Sequence, residues 1–314
     1  MPTRLLFSIL LVAGAVATTA RADGLPLLTD DAGLRGIATP AGFNYVTIGD
    51  HDRTVVARIS PKQRIVASRF LPGRFTIPGV AYDGSAGGLS ADGKTLVLIR
   101  PRVAFPRATT PFVILDPRSF RVRAMVTLRG DFSFDAISPD GSTLYFIQYL
   151  SRTDPTRYAV RAFDRASGRL LSEPIVDRAE PDEDMHGNPV SRATSANGRW
   201  AYTLYDGGGK MPFIHALDTV GHDAHCIDLD ALAGNPKLPQ LRLRLRNEVL
   251  SVVDGSKALL AVDVNSFRVK KPGQAPVPSG GTTPWLPIGA GGVGLLAVLG
   301  ALSLLVRRRR LAPT

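Results

Sequence analysis

Apolar residues along this chain group into pairs of short strands, and each pair is separated by a turn that begins with Asp or Ser. The pattern occurs five times, with the turn openers at Ser60, Asp116, Asp164, Asp218 and Asp263. A short polar side chain at the first position of a turn accepts hydrogen bonds from the backbone that follows it, which accounts for this choice of residues. Four intervals separate the first opener from the last, so the repeat is about 51 residues long.

A second turn signature falls between these strand pairs. The segments Ser90-Ala91-Asp92-Gly93, Ser138-Pro139-Asp140-Gly141 and Ser195-Ala196-Asn197-Gly198 each lie between two apolar strands. The glycine supplies the positive φ that a tight hairpin requires. Each repeat therefore contains four strands, and the repeats cover about residues 32–72, 77–128, 132–176, 188–228 and 239–270.

The second and third strands of the repeats are continuously apolar, as in Phe112–Leu115 and Leu144–Ile147. A strand loses its alternation of apolar and polar residues when neighbouring elements cover both faces of its sheet. Repeats of this length are typical of propeller blades. We therefore predict an all-β fold, a five-bladed β-propeller with four-stranded blades; the alternatives are a solenoid and an open sandwich.

The hairpin signature adds a family resemblance. The sequence Ser138-Pro139-Asp140-Gly141 followed by Leu144-Tyr145 resembles the inner hairpin of YVTN and WD-repeat-like β-propellers, and the resemblance covers most of residues 30–270. It implies the fold and says little about function, because one fold carries many functions. It also implies that ligands bind around the central channel, on the face that carries the connections between blades.

Both ends of the chain indicate an extracytoplasmic protein. Residues 1–22 combine Arg4, an apolar run and Ala20-Arg21-Ala22, and this pattern predicts a secretory signal peptide. Residues 285–306 are uncharged and long enough to cross a bilayer, and Arg307–Arg310 follow them. Because arginines stay on the cytoplasmic side, we predict a single-pass type I protein at the cell membrane. Its parts are an ectodomain at 23–270, a Pro- and Gly-rich stalk at 271–284, the membrane helix and a basic tail at 307–314.

The formal net charge of +11 overstates the charge of the ectodomain. Six of the 38 basic residues lie in the predicted signal peptide and cytoplasmic tail, and the remaining 32 face 27 acidic residues. This balance gives no nucleic-acid footprint, and we expect no nucleic-acid partner. The single cysteine, Cys226, allows no internal disulfide, and we expect it to be a small buried residue.

The long connections between strands collect basic residues on one face of the predicted propeller. Loops of this kind carry function more often than short turns do. We predict an anion site there, for a carboxylated or phosphorylated glycan or an envelope protein, because guanidinium groups form forked, charge-assisted bonds with such groups. An ordinary solvated loop face is the alternative. The candidate residues are His51, Arg102, Arg107, Arg152, Arg157, His186 and Lys210.

Two clusters of possible metal ligands lack the required spacing. Asp182, Glu183, Asp184 and His186 do not follow the order of a calcium loop. His222 and His225 are three residues apart, and on a strand such residues point to opposite faces, so a zinc set with His215 and Cys226 is not expected. We expect no metal and no cofactor.

The chain also lacks a G-x-S-x-G nucleophile motif, and we assign no catalytic residue. The sequence predicts a non-catalytic binding or scaffolding module displayed at the cell surface and attached to the membrane by its C-terminal helix. The alternative is an extracytoplasmic hydrolase or lactonase, whose scattered polar residues no motif would reveal.

Overall fold

A computed structural model describes residues 35–181 and 185–270, which form an all-β structure of five antiparallel sheets. The predicted signal peptide, stalk, membrane helix and basic tail lie outside the described residues, as do Asp182, Glu183 and Asp184. No helix within the described part of the chain has the length and apolar character needed to cross a membrane.

Each sheet is built from strands that follow one another in sequence, and we number the sheets as blades 1 to 5. Blade 1 contains β1 (Ile37–Ala38), β2 (Asn44–Asp50), β3 (Arg53–Ile59) and β4 (Ile65–Pro72), and blade 2 contains β5 (Leu96–Ile99), β6 (Thr109–Leu115) and β7 (Val122–Arg129). Blade 3 contains β8 (Phe132–Ile137), β9 (Thr143–Tyr149), β10 (Tyr158–Asp164) and β11 (Arg169–Ile175). Blade 4 contains β12 (Pro189–Thr194), β13 (Trp200–Tyr205), β14 (Phe213–Asp218) and β15 (Asp223–Asp228), and blade 5 contains β16 (Arg242–Arg246), β17 (Val249–Asp254), β18 (Lys257–Asp263) and β19 (Val269–Lys270). Short 3-10 turns at Gly207–Gly209, Asp230–Leu232 and Leu238–Gln240 belong to the connections.

An irregular segment takes the place of the first strand in blade 2, so this blade also has four strands. Residues 88–90 run beside the start of β5, where Leu89 bridges Leu96, and the amide of Val97 donates to the carbonyl of Gly88 at 2.7 Å. The five sheets agree with the five predicted repeats to within one residue and match the blades of a β-propeller. The expectation of an all-β propeller fold is confirmed at this level.

The turns opened by Asp have the predicted hydrogen bonds. The Asp116 carboxylate accepts the amides of Arg118 and Ser119, both at 3.0 Å. Asp218 accepts the amides of Val220 and Gly221 at the same distance. The amide of Ser119 and then the guanidinium of Arg123 contribute most to holding the pKa of Asp116 well below its usual range. The turn is therefore stabilised by an ionised carboxylate at neutral pH.

The second turn signature has one repeated geometry. In blade 3, the Ser138 hydroxyl donates to Asp140 at 2.7 Å and accepts the amide of Thr143 at 2.9 Å. Ser195 does the same in blade 4, with Asn197 in place of the aspartate. Gly198 has a φ of +75°, and a Cβ there would lie 2.7 Å from the Cβ of Ala91 in the corresponding turn of blade 2. A glycine is therefore required both by its backbone and by this close contact.

The core lies between the blades, and the middle strands contribute to it from both faces. In β9, Leu144 and Phe146 pack with blade 2, whereas Tyr145 and Ile147 pack with blade 4. Similar clusters join blade 1 to blade 2 and blade 4 to blade 5. This arrangement explains the continuous apolar segments, because each side chain of a middle strand faces one neighbouring sheet or the other.

The order of the strands separates the connections onto two faces. Turns between the first and second strands of a blade, and between the third and fourth, lie on one face, which we call the turn face. Connections between second and third strands, and from blade to blade, lie on the opposite face, which we call the loop face. Every residue of the predicted anion site belongs to the loop face.

Phe146 lies at the centre of an aromatic cluster, with ring centroids 5.0 Å from Phe112 and 5.9 Å from Phe134. We expect Phe146→Ala to lower the free energy of unfolding of the full-length chain by about 3–5 kcal/mol, since it leaves a cavity between two sheets. Met125→Ala, on the exposed strand β7, is the control and should change stability by no more than about 0.5 kcal/mol. Urea titration followed by circular dichroism measures both; equal losses would contradict this packing.

Candidate functional site

Arg102 and Arg107, two of the predicted anion-binding residues, form an internal ion cluster with Asp131. The Arg102 guanidinium donates to the Asp131 carboxylate from Nε at 2.9 Å and from Nη2 at 2.5 Å, and both side chains are almost fully buried. The Arg107 amide donates to the same carboxylate at 2.9 Å. Burial and the nearby Arg102 charge lower the pKa of Arg107 to about 10, and the Asp131 charge opposes this shift. The positive charge of this pair is directed inward, toward Asp131.

The other five predicted residues lie on the loop face, two of them together and three apart. Arg157 and His186 are brought together by an isolated backbone bridge. His51 is at the turn between β2 and β3, where its Nδ1 is 3.0 Å from the Asp50 carboxylate. Arg152 and Lys210 are exposed on the loops of blades 3 and 4. The structure thus gathers the seven residues into two pairs and three separate positions.

A hairpin at residues 79–86, which we call the channel hairpin, extends from the connection between blades 1 and 2 across the molecule. Gly79 bridges Ala86 within it. Its tip joins β12 of blade 4, because the amides of Tyr82 and Asp83 donate to the carbonyls of Pro189 and Val190 at 2.9 and 3.1 Å. The hairpin therefore fills part of the central channel, the space lined by the first strands of the blades.

The Asp83 side chain connects the hairpin to blade 5 as well, through Ser191 of blade 4. The Ser191 hydroxyl donates to Asp83 at 2.6 Å and accepts the amide of Leu243, the second residue of β16, at 2.9 Å. Blades 4 and 5 are thus bonded to a segment that precedes blade 2. No local sequence pattern predicts a contact of this kind.

A buried ion pair between Asp135 and Arg192 lies on the channel wall. Asp135 falls in β8 at a register shift between Phe134 and Ala136, and such bulges redirect a side chain away from the sheet. Its carboxylate accepts a hydrogen bond from Arg192 of β12, and both side chains are almost fully buried. Sequence reasoning did not single out this pair, although a charged residue inside the apolar segment Phe132–Ile137 is a visible signal.

The ion pair and the channel hairpin divide the channel into two compartments. The compartment on the loop face has a volume of about 20 Å³ and is lined by four tyrosines, among them Tyr82 and Tyr158. The compartment on the turn face has a volume of about 320 Å³. Both compartments are lined by Val80 and Asp135, and only the second has room for a small molecule.

The turn-face compartment, which we call the cavity, is bordered by four blades. Apolar Ile37, Leu89 and Ile137 line it from blades 1, 2 and 3, and polar Thr194, Ser195 and Thr219 line it from blade 4. The backbone of Gly87 and Gly88 lines it as well. Asp135 and Arg192 are the charged residues of its described lining, and they are paired with each other.

Nε2 of His215, beside the ion pair, is buried and has no hydrogen-bond partner among the described residues. His215 lies on β14, with its ring 6.5 Å from that of Tyr205. Burial lowers the pKa of His215 to about 4, although the Asp135 charge opposes the shift. His215 is therefore neutral at physiological pH.

The residues considered as a possible zinc set make different contacts. Cys226 is opposite His215 in the pairing of β14 with β15, His222 approaches the Tyr145 hydroxyl at 2.6 Å, and His225 packs on Phe267. Cys226 is half-buried, which corrects the expectation of a small buried residue. No group of three potential metal ligands occurs among residues 35–181 and 185–270.

Comparison with known proteins finds similarity at the level of fold alone. No family model matches the chain, and no curated protein matches it. Solved structures that resemble it include TolB from Acinetobacter baumannii (11% identity, 72% of this chain and 50% of that one, TM-score 0.40) and putative TolB from Agrobacterium tumefaciens (14%, 74% and 78%, 0.39). A puromycin hydrolase mutant is 14% identical over 77% of this chain and 40% of its own, with a TM-score of 0.41. The chain thus spans half or less of the first TolB and of the hydrolase, and membership of the YVTN or WD-repeat families stays a prediction.

The Asp135–Arg192 pair supports a stability prediction. We expect Asp135→Leu to lower the free energy of unfolding by about 3–5 kcal/mol, since it leaves Arg192 buried without a counter-charge. The double variant Asp135→Leu/Arg192→Met should recover most of that loss, and urea denaturation of the full-length chain measures both. Asp254→Asn, which breaks the exposed pair with Lys237, should cost less than about 1 kcal/mol. Additive losses in the double variant would contradict the coupling.

His215 supports a prediction on pH dependence. Its ordinary pKa of 6.5 applies to the unfolded chain, and the folded value is about 4. The unfolded chain therefore binds the extra proton first as pH falls, so this contribution to stability is complete above pH 6.5 and decreases toward pH 4, by about 3 kcal/mol in total. We expect His215→Gln to flatten the curve of unfolding free energy in that window and to run parallel to the wild type above pH 7. An unchanged slope between pH 4 and 6.5 would be inconsistent with a buried neutral histidine.

Proposed function

We propose that this chain is a non-catalytic binding module held at the cell membrane by residues 285–306, with its β-propeller outside the cytoplasm. The observation that carries the proposal is the cavity of about 320 Å³ at the turn face. This volume is at the lower end of the range for small-molecule sites, which are preformed concave spaces with a few polar groups.

The lining of the cavity favours an uncharged, hydroxyl-rich ligand. Asp135 and Arg192 neutralise each other, so an ionic ligand would find no unpaired opposite charge on this part of the wall. Hydroxyls of Thr194 and Ser195 and the backbone at Gly87 supply hydrogen-bonding groups, and Ile37 and Ile137 supply apolar contact. A neutral sugar unit of an envelope glycan has both kinds of surface.

The rim of the cavity is organised before any ligand arrives. The turn from Ser195 to Trp200 is held by side-chain bonds at 2.8 Å, and the amide of Asp92 donates to the carbonyl of Pro139 in the next blade at 3.0 Å. A site that is rigid in the free protein loses less conformational entropy on binding. This rigidity supports recognition by a fixed surface.

A cavity-filling variant tests the proposal. Thr194 is exposed and borders the cavity, and we expect Thr194→Trp to reduce binding of a neutral oligosaccharide by at least tenfold, because the indole occupies the space of the ligand. Thr153→Trp, on the exposed loop of blade 3, is the matched control and should bind as the wild type does. The measurement is calorimetric titration of full-length protein with neutral and acidic oligosaccharides released from cell envelopes.

A parallel assay of the same proteins with lactones and aryl esters distinguishes the alternative function. Turnover that Thr194→Trp removes and Thr153→Trp retains would identify an enzyme in place of a binding module. Oligosaccharide binding that both variants retain would place the site outside the cavity.

A further inference from the structure

A groove on the loop face, separate from the cavity, lies where blade 1 ends and the first long loop of blade 2 begins. It has a volume of about 280 Å³, and its lining consists of Asp52, Gly73, Arg74, Arg100, Pro101 and Val103. The two arginines come from different segments, one following β4 and the other following β5. The groove is therefore a product of the fold.

Arg74 and Arg100 differ from the Arg102–Arg107 pair in what they face. Both are exposed, and neither forms an ion pair with a carboxylate of the described residues, in contrast to Arg102. Two guanidinium groups beside one groove present several N–H donors with full positive charge. Such donors form bidentate, charge-assisted bonds with carboxylate or phosphate.

Several contacts fix the position of Arg100. Its guanidinium carbon lies 5.9 Å from the ring centroid of Phe75, which is a cation–π distance. Its carbonyl oxygen accepts a bond from Nη1 of Arg107 at 2.7 Å. The buried ion cluster around Asp131 thus reaches the groove through Arg107 and holds the backbone that carries Arg100.

Gly73 keeps the groove open beneath Arg100. Its φ is +87°, and a Cβ added there would lie 3.0 Å from the Phe75 ring and 3.8 Å from Nη2 of Arg100. A larger residue would be strained in this conformation and would occupy the space beside the guanidinium.

The rim of the groove combines apolar and acidic groups. Val103 is 88% exposed, the highest value among the large apolar residues described, and Pro101 lies two residues before it in the chain. An apolar group of a ligand could cover Val103 and remove its surface from water. Asp52 also lines the groove, so its carboxylate repels an anion bound there.

We propose that this groove binds an anionic ligand in which a phosphate monoester or carboxylate is attached to a short apolar group. Arg74 and Arg100 hold the anionic group, and Val103 contacts the apolar part. The site lies on the opposite face from the cavity and does not depend on the function proposed above.

The probes are hexyl phosphate and inorganic phosphate, and binding is measured by calorimetric titration of the full-length chain at constant pH. An ionic strength of about 0.15 M limits non-specific electrostatic attraction. We expect Arg74→Gln and Arg100→Gln each to weaken binding of hexyl phosphate about tenfold, as loss of a charge-assisted contact implies. Arg118→Gln, an exposed arginine of the turn face outside the groove, is the control and should change the affinity less than about twofold. Asp52→Asn should strengthen binding about twofold, since it removes a like charge.

The apolar contact has its own test. Hexyl phosphate should bind about tenfold more tightly than inorganic phosphate, which corresponds to burying about two methylene groups. Val103→Ser should remove most of that difference while leaving the affinity for inorganic phosphate unchanged. Equal loss in Arg118→Gln and Arg100→Gln would show a diffuse electrostatic effect and overturn the proposal. Weaker binding in Asp52→Asn, or no measurable binding of either probe, would overturn it as well.

Discussion

Burial of the middle strands on both faces is the constraint on which the rest of this structure depends. Tyr145 and Phe146 are neighbours on β9, yet one packs against blade 4 and the other against blade 2. A middle strand under this constraint has no face for a charged group that lacks a partner, because a buried charge without a counter-charge is strongly unfavourable. Charged side chains are consequently concentrated in the turns, the loops, the outer strands and the first strands along the channel.

The same constraint gives the channel its chemistry. Asp135 and Arg192 lie on first strands, which face the channel on one side, and each neutralises the other. Asp131 does the same for Arg102 near the loop face. Within each pair the opposite charges neutralise each other, so the lining of the cavity has no net charge. The positive charge available to an anion lies elsewhere, at Arg74 and Arg100. The two proposed sites therefore favour different classes of ligand.

Local features were predictable from the sequence because they depend on residues close together in the chain. The Asp116 and Asp218 turns and the Ser138 hairpin need only neighbouring residues, and their hydrogen bonds follow the predicted pattern. The positions of the five sheets follow from the same turns. The candidate site was harder to predict from the sequence. A buried loop arginine such as Arg102 cannot be told from an exposed one by its neighbours in the chain, and its partner Asp131 is 29 residues away. The pairing of Asp135 with Arg192 spans 57 residues and a bulge, and no periodicity in the sequence encodes it.

The channel hairpin imposes an order on the formation of the molecule. Asp83 and Ser191 are 108 residues apart, and Ser191 in turn bonds β16, 52 residues further on. During synthesis, a chain that has completed blades 1 and 2 has not yet produced the strand on which the hairpin rests. Contacts of such long range close slowly, because the intervening chain must first be ordered. When the N-terminal half of this protein has been synthesised, the tip of the channel hairpin therefore still lacks the strand that it pairs with. The hairpin reaches its final position only after blades 4 and 5 have been made.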